Sequence, residues 1–172
     1  MIRLISIDPG LDDTSYALWA ADAIPLSLDR VASAFLCTAT ITTKTSAPLE
    51  QRMQRITEAL SQVIAAHQPT LVVIEQPAYS GVYARMRSRA RTAAPIHAAG
   101  LAREREVGGL IAGLCSAHDI AWQWAPPSSI RVKQRVAAVQ ALGIRGRTNP
   151  DQRAAILIGV AVLTDHRRRR RK

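Results

Sequence analysis

Three carboxylates lie at the ends of predicted secondary-structure elements. Asp8 ends the apolar run of "RLISIDPG", and Glu75 ends the apolar run of "TLVVIEQP". Asp151 lies in the first turn of the predicted last helix. Because neighbouring parallel strands end side by side, we expect Asp8 and Glu75 to be close together. Two such acids repel each other unless one binds a proton or a cation neutralises both, so they predict a site for Mg²⁺ or Mn²⁺.

A site of this kind would suit the hydrolysis of phosphodiesters. Two divalent ions about 3.5–4 Å apart are the usual arrangement for in-line attack of water on phosphate. Two of the acids also have a structural explanation: Asp8 fits the turn at Pro9-Gly10, and Asp151 complements the helix dipole. Glu75 is harder to explain in this way, because an acid after a buried strand is costly without a partner. The metal site is therefore the favoured interpretation.

The charge of the chain favours a nucleic acid as the partner. The 172 residues include 23 Lys and Arg against 13 Asp and Glu, a net charge of +10. Three of the cations are Lys, which leaves 20 Arg, and the planar guanidinium suits phosphate. A hydrophobic content of 48% excludes a disordered chain. We predict one domain over residues 1–165 and a flexible basic tail over 166–172.

The cysteines and the apolar runs indicate a soluble protein. Cys37 and Cys115 are far apart, without the spacing of a metal site, and are predicted to be core residues in a reducing compartment. The longest uncharged apolar run, at 154–163, is about half of what spans a bilayer. We expect a cytoplasmic location and no membrane partner.

The hydrophobic pattern predicts a mixed α/β domain. The first three strands are expected to be antiparallel, and the fourth has the continuous apolar character of a central strand. Helices are expected after the third, fourth and fifth strands, and Asn149, Pro150 and Gln152 form a capping signal for the last one. The predicted strands cover about 2–8, 15–20, 30–43, 71–75 and 120–124; the predicted helices cover 46–67, 99–117 and 126–143 and begin again at Pro150.

Five motifs in this order resemble the RuvC-type Holliday-junction resolvases of the ribonuclease H-like superfamily. They are "IDPGLDDTSYA", "LVVIEQP", "EREVGGLIAGL", "PPSSIRVK" and "DQRAAILIGVAV", and together they cover nearly the whole chain. The resemblance implies a ribonuclease H-like fold, with a five-stranded mixed sheet flanked by helices. It also implies a structure-selective, Mg²⁺-dependent endodeoxyribonuclease that resolves four-way junctions with two Mg²⁺ or Mn²⁺ ions.

The same resemblance assigns the metal ligands and indicates that one of the family's four acids is absent from this chain. Asp8, Glu75 and Asp151 match the first three metal-binding acids of the family, whereas the fourth acid falls on Ala154. In another register Asp151 is the fourth acid and Thr148 stands at the third. One carboxylate is missing in either register.

Three nearby residues could replace the missing ligand: Asn149, Asp12 and Asp13. Otherwise the chain is a weakened or inactivated enzyme, through a natural or an introduced change, or a non-catalytic protein that binds branched DNA. A less selective nuclease that cuts flaps or forks is a further alternative.

The DNA-contacting residues implied by the resemblance are basic, with one aromatic. Lys133 corresponds to a cation near the scissile phosphate and is a predicted catalytic residue, and Tyr79 is the nearest aromatic for stacking on a base. Four alternating arginines would contact phosphates without reading bases. The predicted set is Tyr79, Arg85, Arg87, Arg89, Arg91, Arg131 and Lys133.

Two equivalent strands must be cut in a four-way junction, so a two-fold homodimer is expected. The resemblance places the dimer contact on the helix at about 99–117, where "GGLIAGL" would allow two helices to approach closely. Packing of that helix on its own sheet is the alternative explanation of these glycines.

Overall fold

The computed structural model describes residues 1–76, 94–126 and 132–165, and it describes side chains there except at 94–101 and 132–133. In this part of the chain, strands and helices alternate after an antiparallel start. The strands are β1 (Ile2–Asp8), β2 (Asp13–Ala21), β3 (Phe35–Thr42), β4 (Leu71–Glu75) and β5 (Trp122–Ala125); the helices are α1 (Leu28–Ala34), α2 (Leu49–His67), α3 (Ala94–Ala117), α4 (Val132–Ala141) and α5 (Pro150–Leu163).

The strands form one mixed sheet in the order β3-β2-β1-β4-β5. β1, β2 and β3 pair antiparallel, whereas β4 is parallel to both β1 and β5. The middle of β1 and of β4 is buried, as expected for central strands covered on both faces. The predicted five-stranded mixed sheet with flanking helices is confirmed.

Alternate residues of the central strands pack against different helices. Ile5 and Ile7 point to a cluster that includes Ile56 of α2 and Val107 of α3. Leu4 points to the opposite face, where it joins a cluster built largely from α5. This alternation decides which helix each side chain at a strand end will meet.

The segment at 30–43 differs from the single strand that was predicted. A short helix, α1, occupies Leu28–Ala34, and β3 begins only at Phe35. Val31 and Ala34 are three residues apart and are both buried, so one face of this turn packs on the core. The β-branched residues that suggested a strand lie in its second half, from Thr38 onward.

Several helix details also differ from the predictions. α2 begins at Leu49, later than the predicted start at 46, and its N-cap residue, Pro48, makes no side-chain capping hydrogen bond. In α4, Val139 is buried but Val136 is 41% exposed, because α4 packs mainly against α5. Gly143 ends this region with a φ of +75°, the left-handed conformation expected of a helix stop.

The two cysteines lie in different surroundings. Cys115 is buried, as predicted, but Cys37 is exposed on the edge strand β3, so the prediction of a core position was wrong there. Both are free thiols. The helices of the described residues are all too short or too polar to cross a membrane.

Candidate active site

Asp8 and Glu75 end neighbouring parallel strands in matching positions. Ile7 of β1 lies opposite Ile74 of β4, so the next residue on each strand is an acid. By alternation, both acids point to the face of the sheet that α5 covers. The structure therefore brings these two carboxyl groups together, and their side chains are hydrogen-bonded.

The electrostatics of this pair are those of a partly buried acid dyad. The pKa of Asp8 is raised to about 8, mainly by burial and then by the charge of Glu75, the hydrogen bond to Glu75 and the charge of Asp151. The guanidinium of Arg135 acts in the opposite sense and lowers the pKa of Asp8. At neutral pH the pair therefore holds a proton that a bound cation would displace.

Asp151 is positioned by the capping box that begins α5. Asn149 Oδ1 accepts a hydrogen bond of 2.7 Å from the backbone N–H of Gln152, and the backbone N–H of Asn149 donates to Gln152 Oε1 over 3.0 Å. Asn149 Nδ2 also donates to Thr40 Oγ1 of β3 over 3.0 Å. The first turn of α5, which carries Asp151, is thereby attached to the sheet.

A second attachment lies one turn further along α5. Ser6 Oγ of β1 donates to the carbonyl oxygen of Ala155 over 2.7 Å, and Trp19 Nε1 of β2 donates to Ser6 Oγ over 2.9 Å. Gly159 allows this close approach, since a Cβ there would lie 2.3 Å from Trp19 Nε1. α5 is thus held directly over β1, the strand that carries Asp8.

Asp151 is close enough to the dyad to interact with it, although it stands apart from it. Burial raises the pKa of Asp151, the charge of Asp13 raises it further, and Arg135 and Arg153 lower it. No three His, Cys, Asp or Glu side chains in the described ranges are placed to bind one metal ion. The Asp8–Glu75 pair nevertheless fits a hard cation, because Mg²⁺ is usually bound by one or two carboxylates, with waters and phosphate oxygens completing its shell.

Comparison with known proteins identifies the family. The family profile described as "Crossover junction endodeoxyribonuclease RuvC" matches residues 4–97, which are 94 of the 172 residues. The chain belongs to this RuvC family. The matched segment contains Asp8 and Glu75 and ends before Asp151. A search of curated proteins found no match.

Solved structures of resolvases share the fold of this RuvC-family chain. The Thermus thermophilus RuvC in complex with a Holliday junction substrate is 15% identical, with a TM-score of 0.63 over 92% of this chain and 91% of that one. The yeast mitochondrial Holliday junction resolvase Ydc2 is 11% identical (TM-score 0.58, 95% and 79%). The fowlpox virus resolvase, in a complex with Holliday junction DNA, is 10% identical (TM-score 0.52, 93% and 95%).

The residues suggested as substitutes for the missing acid have other partners in this RuvC-family structure. Asp12 forms a salt bridge with Arg52, and Asn149 uses its carbonyl oxygen in the helix cap. Asp13 Oδ1 accepts a hydrogen bond of 2.7 Å from Thr42, although its charge still reaches Asp151. Ala154 itself is fully buried (0% exposed) and offers no oxygen ligand from its side chain.

Several predicted DNA contacts lie outside the described residues. Lys133 belongs to α4, but its side chain is not described. The remaining members of the predicted set, which lie at 77–93 and 127–131, are Tyr79, Arg85, Arg87, Arg89, Arg91 and Arg131.

Two charged residues near the acids were missed from the sequence. Glu104 of α3 has a raised pKa because of burial and the charges of Glu75 and Asp151. The charge of Arg135 of α4 lowers the pKa of both Asp8 and Asp151. For Glu104 a signal existed: it precedes the buried Val107 by three residues and so shares its helix face. Arg135 likewise precedes the buried Val139 by four residues.

Proposed function

We propose that this chain resolves four-way DNA junctions by metal-dependent hydrolysis of phosphodiester bonds. Membership of the RuvC family supports a junction-resolving endonuclease. The observation that carries the metal-dependent mechanism is the partly buried pair of acids, Asp8 and Glu75, at the ends of adjacent parallel strands. Two acids held this close together destabilise the folded protein, so such a pair is typical of a functional site.

Asp8, Glu75 and Asp151 are the proposed ligands of Mg²⁺ or Mn²⁺. When bound, two such ions would activate the attacking water and stabilise the leaving 3′ oxygen. The role of the chain is to hold the carboxylates ready and to release the proton of the Asp8–Glu75 pair. The strand register fixes two of the ligands, and the capping box of α5 fixes the third.

The cations of α4 are proposed to bind the scissile phosphate. Arg135 interacts with Asp8 and Asp151, so a phosphate at these acids would lie within reach of its guanidinium. Lys133 is two residues earlier on the same helix. The net charge of +10 would hold the rest of the junction through its phosphates, independently of base sequence.

A homodimer is proposed to present two such sites to the junction. The glycines of α3 divide between two roles: Gly108 packs against Trp124, whereas Gly109 and Gly113 are exposed and have no neighbour within 4 Å of an added Cβ. This supports both explanations of the "GGLIAGL" motif, since one glycine serves the sheet and two leave the outer side open to a second helix.

The test is cleavage of a labelled four-way junction with Mg²⁺ or Mn²⁺, with linear duplex and flap DNA as competitors. We expect symmetric cutting of the junction and loss of cutting in Glu75→Gln and Asp8→Asn, both of which should still bind DNA. A flap or fork nuclease would cut the competitors equally well.

The missing carboxylate at Ala154 favours a second candidate, a protein that binds junctions without cutting them. Tight binding with no cleavage by the native chain, and cleavage by Ala154→Asp, would mean a resolvase scaffold that lacks one ligand. Binding without cleavage by both proteins would establish the binding function and exclude the enzyme.

A further inference from the structure

We propose that Glu104 of α3 supplies the metal-binding carboxylate that α5 lacks at Ala154. The inference rests on the proposed function, because it assigns a further ligand to the same cation site. The proposed ligand lies on α3, the helix that covers the face of the sheet opposite to α5.

The direction of α3 places Glu104 beyond the carboxyl end of β4. β4 and β5 are parallel, so the helix that connects them must run back against both strands. The N-terminal part of α3 therefore lies at the strand ends that carry Asp8 and Glu75.

The contacts of Gly108 fix the position along the helix. An added Cβ at Gly108 would lie 2.9 Å from Trp124 of β5 and 3.7 Å from Ile74 of β4. Glu104 is one helical turn before Gly108, which is about 6 Å along the axis, and so lies level with the end of β4. Glu75 is the residue directly after Ile74.

The rotation of α3 directs Glu104 inward. Val107 and Ile111 are buried in the cluster between α3, α2 and the sheet, and Glu104 lies on the same helix face. Within the charged run at 103–106, Glu104 is partly buried, whereas Arg103, Arg105 and Glu106 are exposed.

The charges that reach Glu104 are those of the proposed ligands. Glu75 and Asp151 both raise its pKa, after burial, which is the larger cause. These carboxyl groups of β4, α3 and α5 influence one another's charge at one edge of the sheet, although no three of them are already arranged around a single ion. A cation bound by Asp8 and Glu75 would relieve this repulsion, and Glu104 would then provide the further carboxylate that position 154 does not.

The experiment measures Mn²⁺ binding to the full-length protein without DNA, by calorimetry and by the electron paramagnetic resonance of free Mn²⁺. Glu104→Gln is expected to weaken binding by about tenfold or more, the range found when supporting groups of metal sites are removed. Glu106→Gln removes an exposed carboxylate two residues away and serves as the matched control, with binding within about twofold of wild type. Glu104→Asp, which keeps the acid, is expected to lie between them.

A rescue variant distinguishes a ligand from a structural residue. If Glu104 replaces the missing acid, Ala154→Asp should restore Mn²⁺ affinity in the Glu104→Gln protein. Thermal unfolding of each variant shows whether it folds, and Glu104→Asp provides the test if Glu104→Gln does not.

The outcomes separate this inference from the proposed function. Loss of Mn²⁺ binding in Asp8→Asn together with wild-type affinity in Glu104→Gln would overturn the role of Glu104 and leave the metal centre intact. Unchanged binding in Asp8→Asn would overturn both. Equal losses in Glu104→Gln and Glu106→Gln would reduce the effect to net charge and also overturn the assignment.

Discussion

The acids on the strands and the acids on the helices are brought to the same edge of the sheet in different ways. Asp8 and Glu75 are fixed by the backbone ladder between β1 and β4, in which the residues that precede them pair directly. Asp151 and Glu104 depend on how α5 and α3 pack, and these helices cover opposite faces of the sheet. A strand acid can therefore move only with the sheet, whereas a helix acid can move with one helix.

This difference explains how one ligand could be lost while the fold remains. Each helix is set by a glycine against an aromatic ring: Gly159 against Trp19 for α5, and Gly108 against Trp124 for α3. Residues along such a helix can change, as at Ala154, while the glycine contact keeps the helix in place. The strand pair has no such freedom, because a one-residue shift of either strand would turn its acid to the other face of the sheet and separate it from its partner.

The largest expected effect comes from breaking the attachment of α5. In Gly159→Ala the added Cβ would meet Trp19 and Ser6 at 2.3 and 2.7 Å, so α5 must move away from the sheet. We expect a loss of about 3 kcal/mol in the free energy of unfolding, measured with urea. Gly113→Ala is the control, since nothing lies within 4 Å of its Cβ, and it should be neutral or more stable by up to about 1 kcal/mol. Equal stability of the two variants would contradict the role of Gly159.

The next largest change in stability is expected when a further acid is added to α5. Ala154→Asp places a carboxylate at a fully buried position near acids that already raise one another's pKa. We expect the metal-free variant to lose about 2 kcal/mol of stability, since a buried charge without a partner is unfavourable. Mn²⁺ should restore more stability to this variant than to wild type, as measured by thermal unfolding with and without the ion. A loss that Mn²⁺ does not reduce would mean that position 154 faces the apolar core and not the site.

The strand side of the site is tested by pH. An acid whose pKa is higher in the folded chain keeps its proton longer when folded, so stability falls as pH rises from its ordinary pKa to the raised one. For Asp8 this window extends from 3.8 to about 8, and Asp151 and Glu104 act in the same direction. Burial lowers the pKa of His67 from 6.5, which makes stability rise with pH below 6.5. The effect of Asp8 is therefore separated from that of His67 between pH 6.5 and about 8.

Over that range the metal-free protein should lose on the order of 1–2 kcal/mol in its free energy of unfolding. Asp8→Asn should remove most of this pH dependence, because the amide does not titrate. The measurement is urea unfolding at several pH values in the presence of a chelator. A slope that persists unchanged in Asp8→Asn would mean that other acids hold the proton.

These two ways of positioning acids also differ in what the sequence could predict. The meeting of Asp8 and Glu75 follows from two apolar strands that each end in an acid, once the strands are taken as parallel neighbours. The start of α5 follows from Asn149, Pro150 and Gln152, because these residues are a local signal. Neither conclusion needs knowledge of distant packing.

Glu104, Arg135 and α1 could not be predicted in the same way. In the run "REREV" the helix face shared with Val107 distinguishes Glu104 from the other charged residues, but only the packing of Gly108 on Trp124 brings Glu104 level with the end of β4. Arg135 depends similarly on the contact of α4 with α5. α1 was missed because a seven-residue helix runs directly into β3, without a turn residue between them.

The smallest change in stability is expected at the cap of α5. This change best distinguishes the positioning of the helix acid Asp151 from that of the strand acids. Asn149→Ala removes the acceptor for the Gln152 N–H and the bond to Thr40, and it should cost about 1 kcal/mol in urea unfolding. Thr40→Val is the companion variant: it leaves the capping box and removes the bond from Asn149, together with the 2.7 Å hydrogen bond between Thr40 and the buried Ser15. Because the cap lies on the helix, the pH dependence that arises from Asp8 should remain in both variants, while Mn²⁺ affinity should fall in Asn149→Ala as Asp151 becomes less well positioned. An altered pH slope with unchanged Mn²⁺ affinity would mean that the capping box supports the strand pair and that the strand acids and the helix acid are not positioned independently.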